Sequence, residues 1–317
     1  MPEAAISARG LARRFGSFEA VRDFDLDVGH GEVFGLLGAN GAGKTTAIRM
    51  LCGTLPPSAG AITVAGVDML RHARRARSRI GYVTQRFTLY GDLTARENLQ
   101  LQGGLYGVPH AALHRGIEEA LRRFELSDAA HQRAAALPLG YQRRLAVAAA
   151  LLHEPAVLFL DEPTSGIDPL ARQQLWERVY QLAAGGIGVL VTTHYMDEAL
   201  FCDRLALMDR GRIIAQGTPD ALLARPLAAP PIELRSNDAA ACAAWLATRP
   251  EVREVLPRAG RHRIRLQAGL DPRTWSAQAV PAAAAQGLAL TVDTEPPREL
   301  EDVFVALLEE NGEPGAP

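Results

Sequence analysis

"EVFGLLGANGAGKTTAIRMLCG", residues 32–53, decides the fold. Its opening apolar run, 32–38, reads as a buried strand, and "GKTTAIRMLCG" (43–53) reads as a helix with Gly53 near its end. Between them Gly38, Gly43, Lys44 and Thr45 fit G-x-x-x-x-G-K-[ST], a pattern that needs a strand before it and a helix after it. Gly38, Gly41 and Gly43 let the backbone turn its N–H groups inward around phosphate oxygens, and the helix N-terminus adds partial positive charge. Of 34 lysines plus arginines, Lys44 is the one lysine and the other 33 are arginine. A compact ammonium can reach the β- and γ-phosphates from inside such a ring, whereas a planar guanidinium fork is wider than the ring admits. Shape, not charge, reserves the position. No lysine remains for the Asn-Lys-x-Asp stretch of a guanine site, so the expected nucleotide is ATP.

The other half of a phosphate site lies further on. "VLFLDEP" (157–163) is an apolar strand ending in Asp161 and Glu162. An acid at the C-terminal end of a strand can hold Mg²⁺ beside the phosphate loop, with the Thr45 hydroxyl on the same ion. A second carboxylate next to it can orient or deprotonate an attacking water.

Outward from these two stretches, "IGYVTQ" (80–85), "GVLVTTH" (188–194) and "RLALMD" (204–209) read as further strands. Helical patterns such as "PLARQQLWERVYQLAA" (169–184) alternate with them, which predicts a parallel sheet flanked by helices. Residues 93 to about 152 read as helices without strands, an insertion between two strands of the sheet. Composition shifts at "PLAAPP" (226–231), the expected linker, and a β-α-β-β-α-β order follows, predicting a small two-layer domain. In "RHRIRLQ" (261–267) Ile264 and Leu266 alternate with Arg263 and Arg265, the pattern of a half-buried strand. Leu300, Val303, Phe304, Leu307 and Leu308 form one apolar helical stripe.

The bulk numbers exclude several classes. With 317 residues, 48% of them hydrophobic, the chain suits one large domain with a smaller attachment. A net charge of -2 gives no general electrostatic reason to bind nucleic acid or an anionic membrane. Cys52, Cys202 and Cys242 are far apart and form no CxxC pair, which fits a reducing compartment. The longest apolar stretch, "LAVAAALLHEPAVLFL" (145–160), is broken by His153, Glu154 and Pro155 and is too short to span a bilayer. "MPEAAISARG" at the start carries no basic-then-apolar leader. Any membrane work is expected to fall to another chain.

Six motifs in order give the chain a resemblance to the ATP-binding subunits of ABC transporters, from residue 4 to about 222. "GANGAGKTT" (38–46) looks like the Walker A loop, which extends the nucleotide-binding set to Asn40 and Thr46. "VLFLDEP" resembles Walker B, with Glu162 in the place of the catalytic glutamate. Gln85 matches the Q-loop glutamine, which contacts Mg²⁺ and senses the γ-phosphate. Asp168 in "SGID" (165–168) matches the D-loop, and His194 matches the switch histidine that touches the γ-phosphate. Phe15 in "RRFGSFEAV" (13–21) matches the aromatic that stacks on adenine.

One motif departs. The family usually carries Leu-Ser-Gly-Gly-Gln, which reaches across a dimer to the partner's γ-phosphate. In "LPLGYQRRLAVAAALL" (137–152) Leu137 and Gly140 match, while Pro138, Leu139 and Tyr141 replace Ser, Gly and Gln. Pro138 has neither hydroxyl nor N–H to offer. A hydrogen bond to a charged group contributes roughly 1.5–3 kcal/mol, so turnover slows roughly ten- to a hundredfold unless other groups compensate. The N–H groups of Gly140 and Tyr141, at the start of the next helix, remain available. "LPLG" followed by an aromatic, and "LEDVFVALL" (300–308), also resemble the drug-exporter-like type-2 branch of bacterial exporters.

The resemblance implies an α/β P-loop NTPase fold with an N-terminal antiparallel β subdomain and a helical insertion at about 87–152. The expected ATPase domain covers 1–225, the linker 226–231, and a ferredoxin-like α+β domain 232–310, with a disordered tail at 311–317. ATP and Mg²⁺ are the implied cofactors, with Thr45, Gln85 and Asp161 at the metal. Two ATPase subunits, as a homodimer or heterodimer, would close head to tail, with Leu137, Gly140 and Tyr141 of one against the nucleotide of the other. Separate transmembrane permease chains would be met through Phe87, Leu89 and Tyr90, at the cytoplasmic face of the plasma membrane. The implied cargo is a drug-like or other hydrophobic compound, exported. No nucleic acid is expected. Two alternatives stay open: a non-transport ABC-type ATPase, and a nucleotide-dependent clamp that hydrolyses little.

Overall fold

A hairpin of β1 (Ile6–Phe15) and β2 (Phe18–Val28) opens the computed structural model, which describes residues 4–310. β3 (Val33–Leu37) enters the glycine loop, α1 (Lys44–Leu51) leaves it, and β4 (Ala59–Val64) with β5 (Val67–Asp68) return to β1. These make an antiparallel sheet ordered β2-β1-β4-β5. After α2 (Ala73–Arg77) and β6 (Ile80–Val83), the insertion holds α3 (Ala95–Leu105), α4 (His110–Arg123), α5 (Leu139–Leu151) and two short 3₁₀ turns. A reciprocal capping box between Thr94 and Glu97 starts α3. Then come β7 (Val157–Asp161), α6 (Pro169–Ala184), β8 (Gly188–Thr193), β9 (Arg204–Asp209) and β10 (Arg212–Gly217). The second sheet is ordered β10-β9-β3-β8-β7-β6, parallel except for β10.

Alternation along the parallel strands sorts their side chains into two cores. Phe34, Leu36, Phe159, Leu190 and Met208 pack with Ile48 and Leu51 of α1 and with Phe24 and Leu26 of β2. Val33, Leu158, Leu160, Val189 and Val191 pack with Leu145 and Val147 of α5 and with Trp176 and Val179 of α6. Both faces are covered, which is why these strands read as unbroken apolar runs. Each buried side chain of this size contributes about 1.5–3 kcal/mol.

The chain divides into two units, Met1–Pro219 and Asp220–Pro317. The division falls ahead of the expected 225/226 boundary, and within the second unit Arg298 Nη1 donates to the carbonyls of Leu223 (3.2 Å) and Arg225 (2.9 Å). α7 (Pro219–Leu223) begins at the division, followed by β11 (Pro231–Ser236), α8 (Ala239–Ala247), β12 (Val252–Arg258), β13 (Arg261–Leu266), α9 (Pro272–Ala284), β14 (Leu290–Asp293) and α10 (Leu300–Glu310). Pro231, at the end of the expected linker, pairs with Arg265 as the first residue of β11. The sheet is antiparallel and ordered β12-β13-β11-β14, a ferredoxin-like arrangement. Ile232, Leu234, Ile264 and Leu266 pack with Trp245 and Leu246 of α8 and Trp275, Ala279 and Ala283 of α9. The expected tail at 311–317 lies outside the described residues.

β13 is not half-buried. Arg263 and Arg265 are only 2% and 5% exposed. Asp302 of α10 accepts from Arg263 Nε (3.2 Å) and Nη2 (2.5 Å) and from Arg265 Nη2 (3.5 Å), so an ionic layer stands where solvent was expected. Asp302→Ala removes the carboxylate that the two buried guanidiniums share, leaving Arg263 with Glu233 (3.0 Å) and Arg265 with Glu254 (3.2 Å), and is expected to cost this unit about 3 kcal/mol. Denaturant unfolding, followed by Trp245 and Trp275 fluorescence in a Trp176→Phe background, reads that loss. Replacing Arg263 and Asp302 together by Met and Leu should cost far less.

Candidate functional site

The loop after β3 is pressed against its surroundings. A Cβ on Gly38 would stand 2.2 Å from the Met208 carbonyl oxygen, and one on Gly43, at φ 106°, would stand 2.6 Å from that of Ala20. Gly211, in the β9–β10 turn, donates its N–H to the Ala42 carbonyl at 2.8 Å and braces the loop. Inside the turn Lys44 is 4% exposed. Its Nζ donates to the carbonyls of Gly38 (2.8 Å) and Ala39 (3.1 Å) and stands 3.9 Å from Glu162 Oε1. Burial pushes the ammonium below its ordinary pKa, against the pull of Glu162 and Asp161.

Asp161 and Glu162 lie at the C-terminal end of β7, 2% and 7% exposed. Asp161 Oδ1 accepts from Thr192 Oγ1 (2.7 Å) and Thr45 Oγ1 (3.4 Å). Burial holds the Asp161 carboxyl above the usual carboxylate range. A buried carboxylate that accepts from two hydroxyls beside the phosphate loop suits Mg²⁺, which is bound by one or two carboxylates plus substrate phosphates. The donor set therefore fits the ion.

Glu162 adopts φ 48°, a left-handed conformation uncommon for a residue with a side chain. Its N–H is held by Thr192, 3.0 Å from Oγ1 and 3.1 Å from the carbonyl oxygen. Gln85, just beyond β6, donates Nε2 to Glu162 Oε2 at 2.8 Å. His194, just beyond β8, brings Nδ1 within 3.3 Å of the same oxygen without the alignment of a hydrogen bond. The ends of three adjacent parallel strands thus deliver Gln85, Glu162 and His194 to one point, the crevice where such sheets bind ligands. A cleft of about 230 Å³ is lined by Asn40, Gly41, Gly43, Lys44, Thr45 and Thr46, together with Phe18, Ala20, Gln85 and Glu162.

Other expected residues stand apart from this cleft. Phe15, at the end of β1, is 46% exposed and lies beneath the Arg13 guanidinium at 4.6 Å. The aromatic that lines the cleft is Phe18, its register partner across the hairpin, which the sequence reading missed. Asp168 caps α6, accepting from the Ala171 N–H at 2.9 Å. Leu137 is buried, Pro138 is the N-cap of α5 with no side-chain cap, and Tyr141 lies under the Arg144 guanidinium at 4.2 Å. A Cβ on Gly140 would be 3.4 Å from that of Ala171. Gln142 Nε2 latches the segment by donating to the carbonyls of Ala134 (3.2 Å) and Leu137 (3.0 Å).

The ABC transporter family profile matches residues 21–165. The "Probable multidrug ABC transporter ATP-binding protein YbhF" of Escherichia coli is 46% identical over 223 residues, 70% of this chain but only 39% of that protein. The "Nod factor export ATP-binding protein I" of Ralstonia nicotianae is 42% identical over 243 residues, 76% of each chain. The chain belongs to the ABC transporter ATP-binding family. A solved ATP-binding subunit of an ABC transporter shares the fold, with a TM-score of 0.64 and 31% identity over 69% of this chain and 91% of that one. The first unit is accordingly an ABC-type ATPase domain with the P-loop NTPase fold, and its ligand is ATP with Mg²⁺. Among the described residues no helix is long and apolar enough to cross a membrane.

Proposed function

We propose that this chain is the ATP-hydrolysing subunit of an exporter. Two such subunits, identical or homologous, close head to tail on two ATP molecules and drive separate transmembrane chains. One observation carries the reading: the Glu162 carboxylate, held by Gln85 at 2.8 Å, lies 3.3 Å from His194 and 3.9 Å from the lysine of the phosphate loop. In that place Lys44 and the loop amides bind the phosphates, and Glu162 takes a proton from the attacking water. His194 and Gln85 complete the contacts around the γ-phosphate. Thr45 and Asp161, with Gln85 beside them, would hold Mg²⁺, which when bound supplies neutralisation of phosphate charge. Phe18, and Phe15 beside it, would face the adenine. Leu137, Gly140 and Tyr141 of the second subunit would cap the nucleotide, with its Asp168 nearby.

The names of the E. coli and R. nicotianae relatives speak of multidrug transport and of export. They support a drug-like or other hydrophobic cargo moved outward, with this subunit at the cytoplasmic face of the plasma membrane. Tyr90, 61% exposed and close in sequence to Gln85, is the best-placed contact for the permease, beside the partly buried Phe87 and Leu89. No nucleic acid partner is proposed. Magnesium-dependent phosphate release by the full chain, with and without its membrane partner, tests the reading. Stimulation by the partner is the expected result, and absence of any release would end it.

The clamp reading is favoured by one observation, the capping position held by Pro138 without a side-chain donor or acceptor. Pro138→Ser restores a preferred N-cap and a hydroxyl. Turnover is expected to stay the same or rise, measured as steady-state phosphate release. A collapse would mean that the proline sets a backbone shape this site requires.

A further inference from the structure

We propose that Glu198 and Arg172 are positioning residues that fix His194 over the cleft. The inference rests on the hydrolytic role of His194 proposed above. His194 Nδ1 is buried without a hydrogen bond, so the ring takes its place from its neighbours. Those neighbours form a closed circuit. Glu198, in the 3₁₀ helix Met196–Phe201 that follows β8, is fully buried. Its Oε2 accepts from Thr193 Oγ1 at 2.7 Å, and that hydroxyl accepts from the Tyr195 N–H at 3.0 Å. One hydroxyl therefore ties together the residues on either side of His194. The other oxygen, Oε1, makes no hydrogen bond and faces Arg172 Nε at 3.5 Å.

Arg172 closes the circuit from α6. Its guanidinium lies 5.0 Å above the Tyr195 ring, and the Tyr195 ring lies 4.0 Å from that of His194. The Arg172 backbone N–H donates to the Asp168 carbonyl at 3.0 Å in the first turn of α6, and the guanidinium, 3.6 Å from Asp197 Oδ2 as well as 3.5 Å from Glu198, reaches from there to the 3₁₀ helix. A fully buried carboxylate has no packing value as an apolar group would, and its charge is tolerated only beside its partner. The pair acts as a strut between the start of α6 and the end of β8. Because Asp168 starts α6, the strut also links the 165–168 segment to the residue that meets the γ-phosphate.

The test uses the full chain and four variants: Glu198→Gln, Arg172→Ala, His194→Ala and Glu198→Gln with His194→Ala. Glu198→Gln keeps size and the acceptor for Thr193 but removes the charge. A small misplacement of a reacting group can cost on the order of a hundredfold. Glu198→Gln and Arg172→Ala are each expected to lower kcat about tenfold to a hundredfold, with KM for ATP within about twofold. In the His194→Ala background, Glu198→Gln should add less than about twofold, since its effect runs through the missing ring. Arg172 is partly exposed, so Arg172→Ala keeps the test decisive should Glu198→Gln fold poorly. A slow His194→Ala beside wild-type rates in both strut variants overturns this proposal alone. A loss that multiplies fully onto His194→Ala, or a KM that rises in step with the loss of kcat, also overturns it. A His194→Ala variant at the wild-type rate overturns both this proposal and the role given to His194.

Discussion

Glu162→Gln is expected to bind ATP as wild type does and to release phosphate about 10²–10⁴-fold more slowly. The amide matches the carboxylate in size, so the left-handed backbone at φ 48° and its anchor on Thr192 stay in place. Gln85 Nε2, now 2.8 Å from a carboxylate oxygen, can donate to the amide oxygen instead. What disappears is the base: an amide cannot take a proton from water at neutral pH. Binding persists because Lys44 and the loop amides are untouched, so nucleotide-loaded dimers should accumulate. Single-turnover phosphate release and light scattering read the two effects separately. A variant that hydrolyses at the wild-type rate would remove Glu162 from the role of base.

Lys44→Ala removes the ammonium from the middle of the phosphate loop. Each charge-assisted contact contributes roughly 1.5–3 kcal/mol, and two phosphates lose one. The Kd for Mg-ATP is expected to rise about 10²-fold or more, measured by isothermal titration. Lys44→Arg should fare little better. Lys44 is 4% exposed and already reaches the Gly38 carbonyl at 2.8 Å, so the broader guanidinium has no room to turn within the ring. Unchanged affinity in the alanine variant would contradict the phosphate role, and unchanged affinity in the arginine variant would contradict the argument from shape.

The parallel strands were legible because burial on both faces leaves an uninterrupted apolar signature, as in Val157 to Leu160. The antiparallel N-terminal sheet was not legible from residue pattern. β1 reads "ISARGLARRF", and its register shifts at Ala8/Leu11 and Leu11/Arg13 break the alternation that would have announced a strand. β13 misled for a different reason. Arginine at every second position reads as solvent-facing, and the carboxylates that allow those charges inside come from other elements: Glu233 of β11, Glu254 of β12 and, some forty residues further on, Asp302 of α10. Lys44 came from the phosphate-loop pattern and Glu162 from the acidic end of an apolar strand, Gln85 and His194 came from the family resemblance, and the sheet brings the four together. Phe18 needed the hairpin geometry that sets it across from Phe15. Glu198 and Arg172 are 26 positions apart and carry no spacing that pairs them, so only the fold reveals the contact.

The burial of Lys44 has a practical consequence for anyone handling this polypeptide. Reagents that acylate, crosslink or immobilise proteins through lysine find one such side chain in the whole sequence, and it lies inside the phosphate loop. Amine chemistry therefore has no harmless lysine to occupy. Labelling that must spare the cleft has to go through groups other than lysine.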